Sequence, residues 1–143
     1  MKHLHLGLLT AFAMVLTAGC ASGPPFKEYM ASATPPAADQ GRIYFYRTST
    51  AGAAVQPQVM LNDESVGKAV PGGFFYVDRD AGDYTVSAST EAKRSLEMSL
   101  AEQEEKYVRL EVKMGFMVGH IKPVLVDQSV GKEEIVTTKH AGE

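Results

Sequence analysis

Tyr107-Val108-Arg109-Leu110-Glu111-Val112-Lys113-Met114 decides the fold class. Val108, Leu110, Val112 and Met114 alternate with Arg109, Glu111 and Lys113, the two-residue period of a strand with one buried and one wet face. Upstream, Arg42-Ile43-Tyr44-Phe45-Tyr46-Arg47 is β-branched and aromatic and predicts a first strand. Gln58-Val59-Met60-Leu61 and Ser65-Val66-Gly67-Lys68-Ala69-Val70 flank Asn62-Asp63-Glu64, a hairpin turn. Phe74-Phe75-Tyr76-Val77 and Tyr84-Thr85-Val86-Ser87-Ala88 follow, separated by the turn formers of Arg79-Asp80-Ala81-Gly82-Asp83.

Glu91–Lys106 is ambiguous between strand and helix. Ala92, Leu96 and Leu100 recur at helical spacing among good helix formers. Yet Leu96, Met98 and Leu100 alternate with Ser95, Glu97 and Ser99, which favours a strand over 95–100 and a charged turn over 102–105. Phe116–Ile121 and Val124-Leu125-Val126 predict one or two more strands, and Ile135-Val136 a last short one. About seven short strands with frequent turns predict an all-β domain, an antiparallel immunoglobulin-like β-sandwich over 41–143. Its expected inward core is Ile43, Phe45, Val59, Leu61, Val86, Val108, Leu110 and Val112.

The N-terminus has another character. Lys2 precedes an apolar run from Leu6 to Leu16, which ends in Thr17-Ala18-Gly19-Cys20. This is the layout of a secretory signal over 1–19. The run is 11 residues, short of the roughly 20 that cross a bilayer as a helix. Ala18, Gly19 and Cys20 resemble the end of the bacterial lipoprotein processing motif; Thr17 departs from the usual leucine. The resemblance implies cleavage before Cys20 and a diacylglyceryl thioether plus an N-acyl group on it. Cys20 is the chain's single cysteine, so no intrachain disulfide competes for the thiol. The alternative is ordinary secretory cleavage beside it. By resemblance to Gram-negative lipoproteins, Ala21 in the place of an inner-membrane retention aspartate implies the outer membrane, with the domain on its periplasmic face. Residues 20–40, rich in Ala, Ser, Pro and Gly, predict a flexible lipidated tether. Phe26-Lys27-Glu28-Tyr29-Met30 is the one patch in it able to dock onto the domain.

A second resemblance covers about 41–127. Val59–Gly67, Phe74–Val77 with Ala81–Val86, and Lys106–Val112 are similar to successive strand pairs of PEGA-like and related immunoglobulin-like surface domains. With its signal, the chain is similar to small bacterial lipoproteins built around a domain of unknown function. Ala81 and Glu105 depart from that pattern, where proline and glycine are usual. The resemblance implies fold and location and carries no catalytic residues.

Composition narrows function further. Removal of 19 of the 143 residues takes one of 14 basic residues and none of the 17 acidic ones, leaving a net charge of about −4. A mildly acidic domain without a basic stripe does not suit nucleic acid. With no polybasic segment to attract lipid headgroups, membrane contact would rest on the acyl chains. Asp78, Asp80 and Asp83 gather oxygen ligands in part of a calcium-loop pattern, but Gly82 falls on a ligand position; turn formers are the plainer reading. Glu102, Glu104 and Glu105 read as a solvated turn, and His120 as a half-buried structural residue. No Gly-x-Ser-x-Gly elbow or phosphate-binding lysine loop occurs. No enzyme activity, metal or cofactor beyond the lipid is expected. A non-catalytic structural or adaptor lipoprotein with an envelope protein partner is expected, with Tyr44, Tyr46, Phe75 and Tyr76 as the contact surface. The alternative is a small-ligand or glycan-binding module using the same rings.

Overall fold

The computed structural model describes residues 19–88, 95–115 and 119–142. Residues 1–18 of the signal expected over 1–19, residues 89–94 with the start of the ambiguous stretch, residues 116–118 of the strand expected over 116–121, and residue 143 lie outside them. The chain folds as a mostly-β sandwich, with nine strands and two short helices among the described residues. One sheet contains β1 (Gln40–Tyr46), β4 (Gly73–Asp80), β7 (Glu105–Met114), β8 (Gly119–Val126) and β9 (Lys139–His140), in the order β8-β7-β1-β4-β9. The other contains β2 (Gln58–Leu61), β3 (Glu64–Lys68), β5 (Gly82–Ala88) and β6 (Ser95–Leu100), in the order β3-β2-β5-β6. The strand alternative over 95–100 therefore holds. The pairing is mostly antiparallel, as expected, with two parallel pairs, β1 with β7 and β4 with β9. Between β1 and β7 the chain passes through all four strands of the second sheet and returns in the same direction.

Local chemistry sets the joints. Asn62 (φ 47°) and Asp63 (φ 65°) make the two-residue hairpin between β2 and β3, in the left-handed region that Asn and Asp tolerate best among non-glycines. β4 extends through Asp78 and Asp80, and Ala81 alone carries the chain across to β5 in the other sheet. Pro123 sits in β8, an edge strand, where its missing N–H breaks no ladder.

Ile43, Phe45, Val59, Leu61, Val86, Val108 and Leu110 are buried between the sheets, with Val112 packed against them. Met114 is the exception to the expected phase. It lies past the covered part of β7 and is 83% exposed.

The larger departure is a third layer. α1 (Phe26–Met30) and α2 (Gln128–Ile135) pack on the outer face of the five-stranded sheet. β1 is consequently buried on both faces: Ile43 and Phe45 point to the inter-sheet core, while Tyr44 and Tyr46 join Phe74, Tyr107 and Ile135 under the helices. Ile135, expected in a strand, ends α2 instead.

Candidate functional site

Two places on this frame bring chemistry together: the end of the sandwich that carries Cys20, and the tyrosine-rich face under the helices. Cys20 is exposed with a free thiol, and the chain after it is bound from its first residue. Ala21 N–H donates to Pro71 O at 3.0 Å, Gly23 N–H to His140 O at 3.2 Å, and His140 N–H to Pro24 O at 2.9 Å. Phe26 N–H then donates to Thr138 O at 3.0 Å. Further along, the Arg42 guanidinium donates to Thr34 O and the Gln103 side chain to Ala37 O. The flexible tether expected over 20–40 is thus a strap. Its aromatic patch supplies the reason: Phe26 meets the Phe74 ring at 4.9 Å, and Tyr29 stacks on His140 at 3.9 Å.

Beside Cys20, Arg47 organises the loop over 48–57. It is fully buried with no acidic partner among the described residues, and burial lowers its pKa. Its Nε donates to Ser49 O, its Nη1 to Val55 O and Ala69 O, and its Nη2 to Ala51 O and Gly52 O, over 2.6 to 3.2 Å. Every N–H of the guanidinium fork finds a carbonyl, which makes burying an unpaired charge tolerable.

The expected contact surface requires correction. Tyr44 and Tyr46 lie beneath α1 and α2, and Phe75 stacks on Phe45 inside the sandwich at 4.9 Å. Of the four rings Tyr76 alone is half-exposed, and the Arg42 guanidinium lies 4.0 Å from its centroid. The aromatic pattern of β1 and β4 reflects two buried faces rather than one buried and one presented.

What remains open on that side is a groove of about 360 Å³ between the helices, floored by Tyr44, Tyr107, Phe26 and Met30, with Lys27 and Lys132 on its rim. Glu105 stands at its edge, accepting from Tyr44 Oη at 3.4 Å, Tyr107 Oη at 3.3 Å and Gln128 Nε2 at 3.1 Å, and pairing with Lys132 at 3.2 Å. Burial pushes the Glu105 carboxyl up, but Lys132, Gln128 and Tyr107 outweigh it and hold it below the ordinary range. Burial also raises the pKa values of Tyr44, Tyr46 and Tyr107, and the carboxylates Glu105 and Glu134 add to the effect. These phenols therefore remain hydrogen-bond donors at neutral pH.

The acids of 78–83 are separated by the strand they extend. Asp78 holds Arg42 through two bonds of 2.7 and 2.8 Å, and Asp80 accepts from Gln40. Among the described residues, no three His, Cys, Asp or Glu side chains converge as a metal cluster. His120 is half-buried, and its Nε2 has no hydrogen-bond partner among the described residues. No described helix is long and apolar enough to cross a membrane.

Residues 37–121 match the family described as "Protein of unknown function (DUF2846)". The chain belongs to the DUF2846 family. An uncharacterized protein of Haemophilus influenzae is 27% identical over 129 residues, covering 90% of this chain and 74% of that protein. The DUF2846 match begins inside the strap and ends in β8. Arg42, Arg47, Tyr44 and Tyr107 fall within it, whereas α1, α2 and β9 flank it.

Sequence reasoning missed Arg47, α2 and the strap's anchoring outside Phe26–Met30. Asp127 before Gln128 was a legible helix start, with Lys132-Glu133-Glu134 as good helix formers, although Gly131 among them argues against a helix. The guanidinium's carbonyl cage had no sequence signal, because backbone carbonyls are present in every loop.

Proposed function

We propose that this DUF2846 protein is a membrane-anchored lipoprotein of the cell envelope, a non-catalytic structural or adaptor module held through acyl chains on Cys20. Cys20 carries the proposal: it follows Ala18-Gly19 at the end of an apolar run and stands exposed at one end of the folded domain. Ala21 after it supports sorting to the outer membrane with the domain on the periplasmic side. The short matches to PEGA-like surface domains agree with an envelope location. An envelope protein is the expected partner.

The groove between α1 and α2 favours one alternative, a small-ligand or glycan module. An apolar floor with a few polar groups at the rim is the usual build of such sites, and its volume is at the small end of their range.

Cys20→Ser tests the anchor. The wild-type protein should sediment with outer membranes and show the mass of an acylated N-terminal cysteine, while the serine variant should be released in folded form. An unmodified Cys20 in the membrane form would sink the proposal. Crosslinking in intact cells separates the two functional readings, since the adaptor should yield a defined protein adduct and the ligand module should be retained on cell-wall glycan.

A further inference from the structure

The sandwich is electrically polarised along its strands. The turns at one end carry Asp63, Glu64, Asp80, Asp83, Glu102 and Asp127, with Arg79 and Lys106 as the nearby bases. The other end has the opposite character. There the described loops over 48–57 and 69–72 and the segment 113–115 contain no acid. Its exposed lysines among the described residues are Lys68 at the end of β3, Lys113 near the end of β7 and Lys139 at the start of β9. The partly exposed Glu111 and Glu134 nearby are paired, Glu111 with Arg109 and Lys113 and Glu134 with Arg109. The buried Arg47 adds a further positive charge that no carboxylate among the described residues cancels. Met114, 83% exposed, projects from the same end.

Cys20 sits at this basic end, where the next residue's N–H, that of Ala21, donates to Pro71 O at 3.0 Å. Because the strap is bound from Ala21 onward, an acylated Cys20 leaves no slack between the bilayer and the domain. The lysines are far apart in sequence, which is why no polybasic segment announces them, and the fold brings them to one surface.

We propose that the end of the sandwich bearing Lys68, Lys113, Lys139 and Met114 rests directly on the lipid headgroups of an anionic bilayer, with the acidic end turned away from it. This rests on the lipid anchor proposed above. Attraction between lysines and anionic headgroups acts within about a Debye length, roughly 10 Å at 0.1 M salt. A free spacer would spend most of its time beyond that distance, whereas a bound strap keeps the lysines inside it. The acidic turns would be repelled by the same surface, so attraction and repulsion select one orientation.

The test uses full-length lipidated protein reconstituted in phosphatidylethanolamine–phosphatidylglycerol vesicles that contain headgroup-nitroxide lipid. Acylated Cys20 is blocked, so a fluorophore attaches only to an introduced thiol, Thr50→Cys at the basic end or Glu102→Cys at the acidic end. Both positions are exposed. Quenching at position 50 should exceed that at 102 several-fold, and the difference should shrink in a Lys68→Glu/Lys139→Glu background. Equal quenching at the two positions, or a difference that ignores the charge reversal, overturns the proposed contact. The intact mass of the same preparation separates the failures: an acylated Cys20 with equal quenching removes the orientation alone, and an unacylated Cys20 removes the anchor and the orientation together.

Discussion

Gly131 of α2 lies so close to Tyr107 of β7 that a Cβ at position 131 would stand 2.3 Å from the ring's Cγ. Glycine inside a helix ordinarily costs about 1 kcal/mol relative to alanine, so its presence needs a reason, and the ring is that reason. The close approach lets α2 cover Tyr107 and Tyr46. It also brings Glu134 to Arg109, at 2.8 and 3.1 Å, and to the Tyr46 hydroxyl.

Gly131→Ala should therefore destabilise the protein by about 1 to 3 kcal/mol, the range of an overpacked core, instead of stabilising it as helix propensity alone would have it. Gly82→Ala is the matched control, since a Cβ there would meet nothing within 4 Å and the residue's φ is not positive. Urea unfolding midpoints of the two variants decide the matter. A Gly131→Ala protein as stable as wild type would mean that α2 does not pack on Tyr107 as described.

Arg47 should be intolerant of its closest relative. Lysine keeps the charge but offers three donors on one nitrogen in place of a planar fork, so at least two carbonyls among Ser49, Ala51, Gly52, Val55 and Ala69 lose their partner. Each buried acceptor left unpaired costs about 1 to 3 kcal/mol. Arg47→Lys should lower the unfolding midpoint and speed amide exchange across 48–57 before it affects β7 and β8. Uniform exchange in all strands would show that the arginine does not organise that loop.

The neighbouring pair Arg109 and Leu110 tests the two faces of β7. Leu110 is 2% exposed between the sheets, and Leu110→Ala should cost about 2 to 5 kcal/mol. Arg109 points the other way, where a bare wet face would make its loss nearly neutral. It instead bridges Glu111 and Glu134, with 28% of its side chain exposed. Solvent screening limits such pairs, so Arg109→Ala should cost about 1 kcal/mol, with the loss concentrated in α2. Equal losses at 109 and 110 would mean that the strand phase is wrong.

The contrast between those two residues also shows what the sequence could reveal. The inward set Val108 and Leu110 was legible because a half-buried strand writes its burial into a two-residue period. The same alternation hid the third layer: Tyr44 and Tyr46 follow the period as faithfully as Ile43 and Phe45, and a period cannot distinguish a face under helices from a face under water. The strap was hidden by composition. Ala, Pro and Ser around Phe26 and Tyr29 resemble a linker, yet its backbone is held by partners as remote as Thr138 and His140. Cys20 was legible as a motif, but its position at the basic end depends on how strands distant in sequence are assembled.

Acid should loosen the strap before it unfolds the sandwich. His140 stacks on Tyr29 at 3.9 Å, its Nδ1 accepts from Gly142 N–H at 3.2 Å, and burial lowers its pKa from the ordinary 6.5. The folded state therefore binds this proton less readily than the unfolded state. The neutral imidazole's contribution is fully present above pH 6.5 and is lost as pH falls from there through the depressed folded value. A second loss lies lower. Lys113 and Arg109 hold Glu111 below its ordinary 4.5, so its contribution is present above that pH and disappears as pH falls through the depressed value. As pH falls below 6.5, the protection of the Gly23 and Phe26 amides, measured against their intrinsic exchange rates, should drop while that of β1 and β7 stays high, and His140→Gln should abolish that first step. The ring protons of His140, followed by NMR, should titrate below 6.5. A His140 that titrates at or above that value, or strap protection that ignores pH, would show that the imidazole is not held neutral against Tyr29.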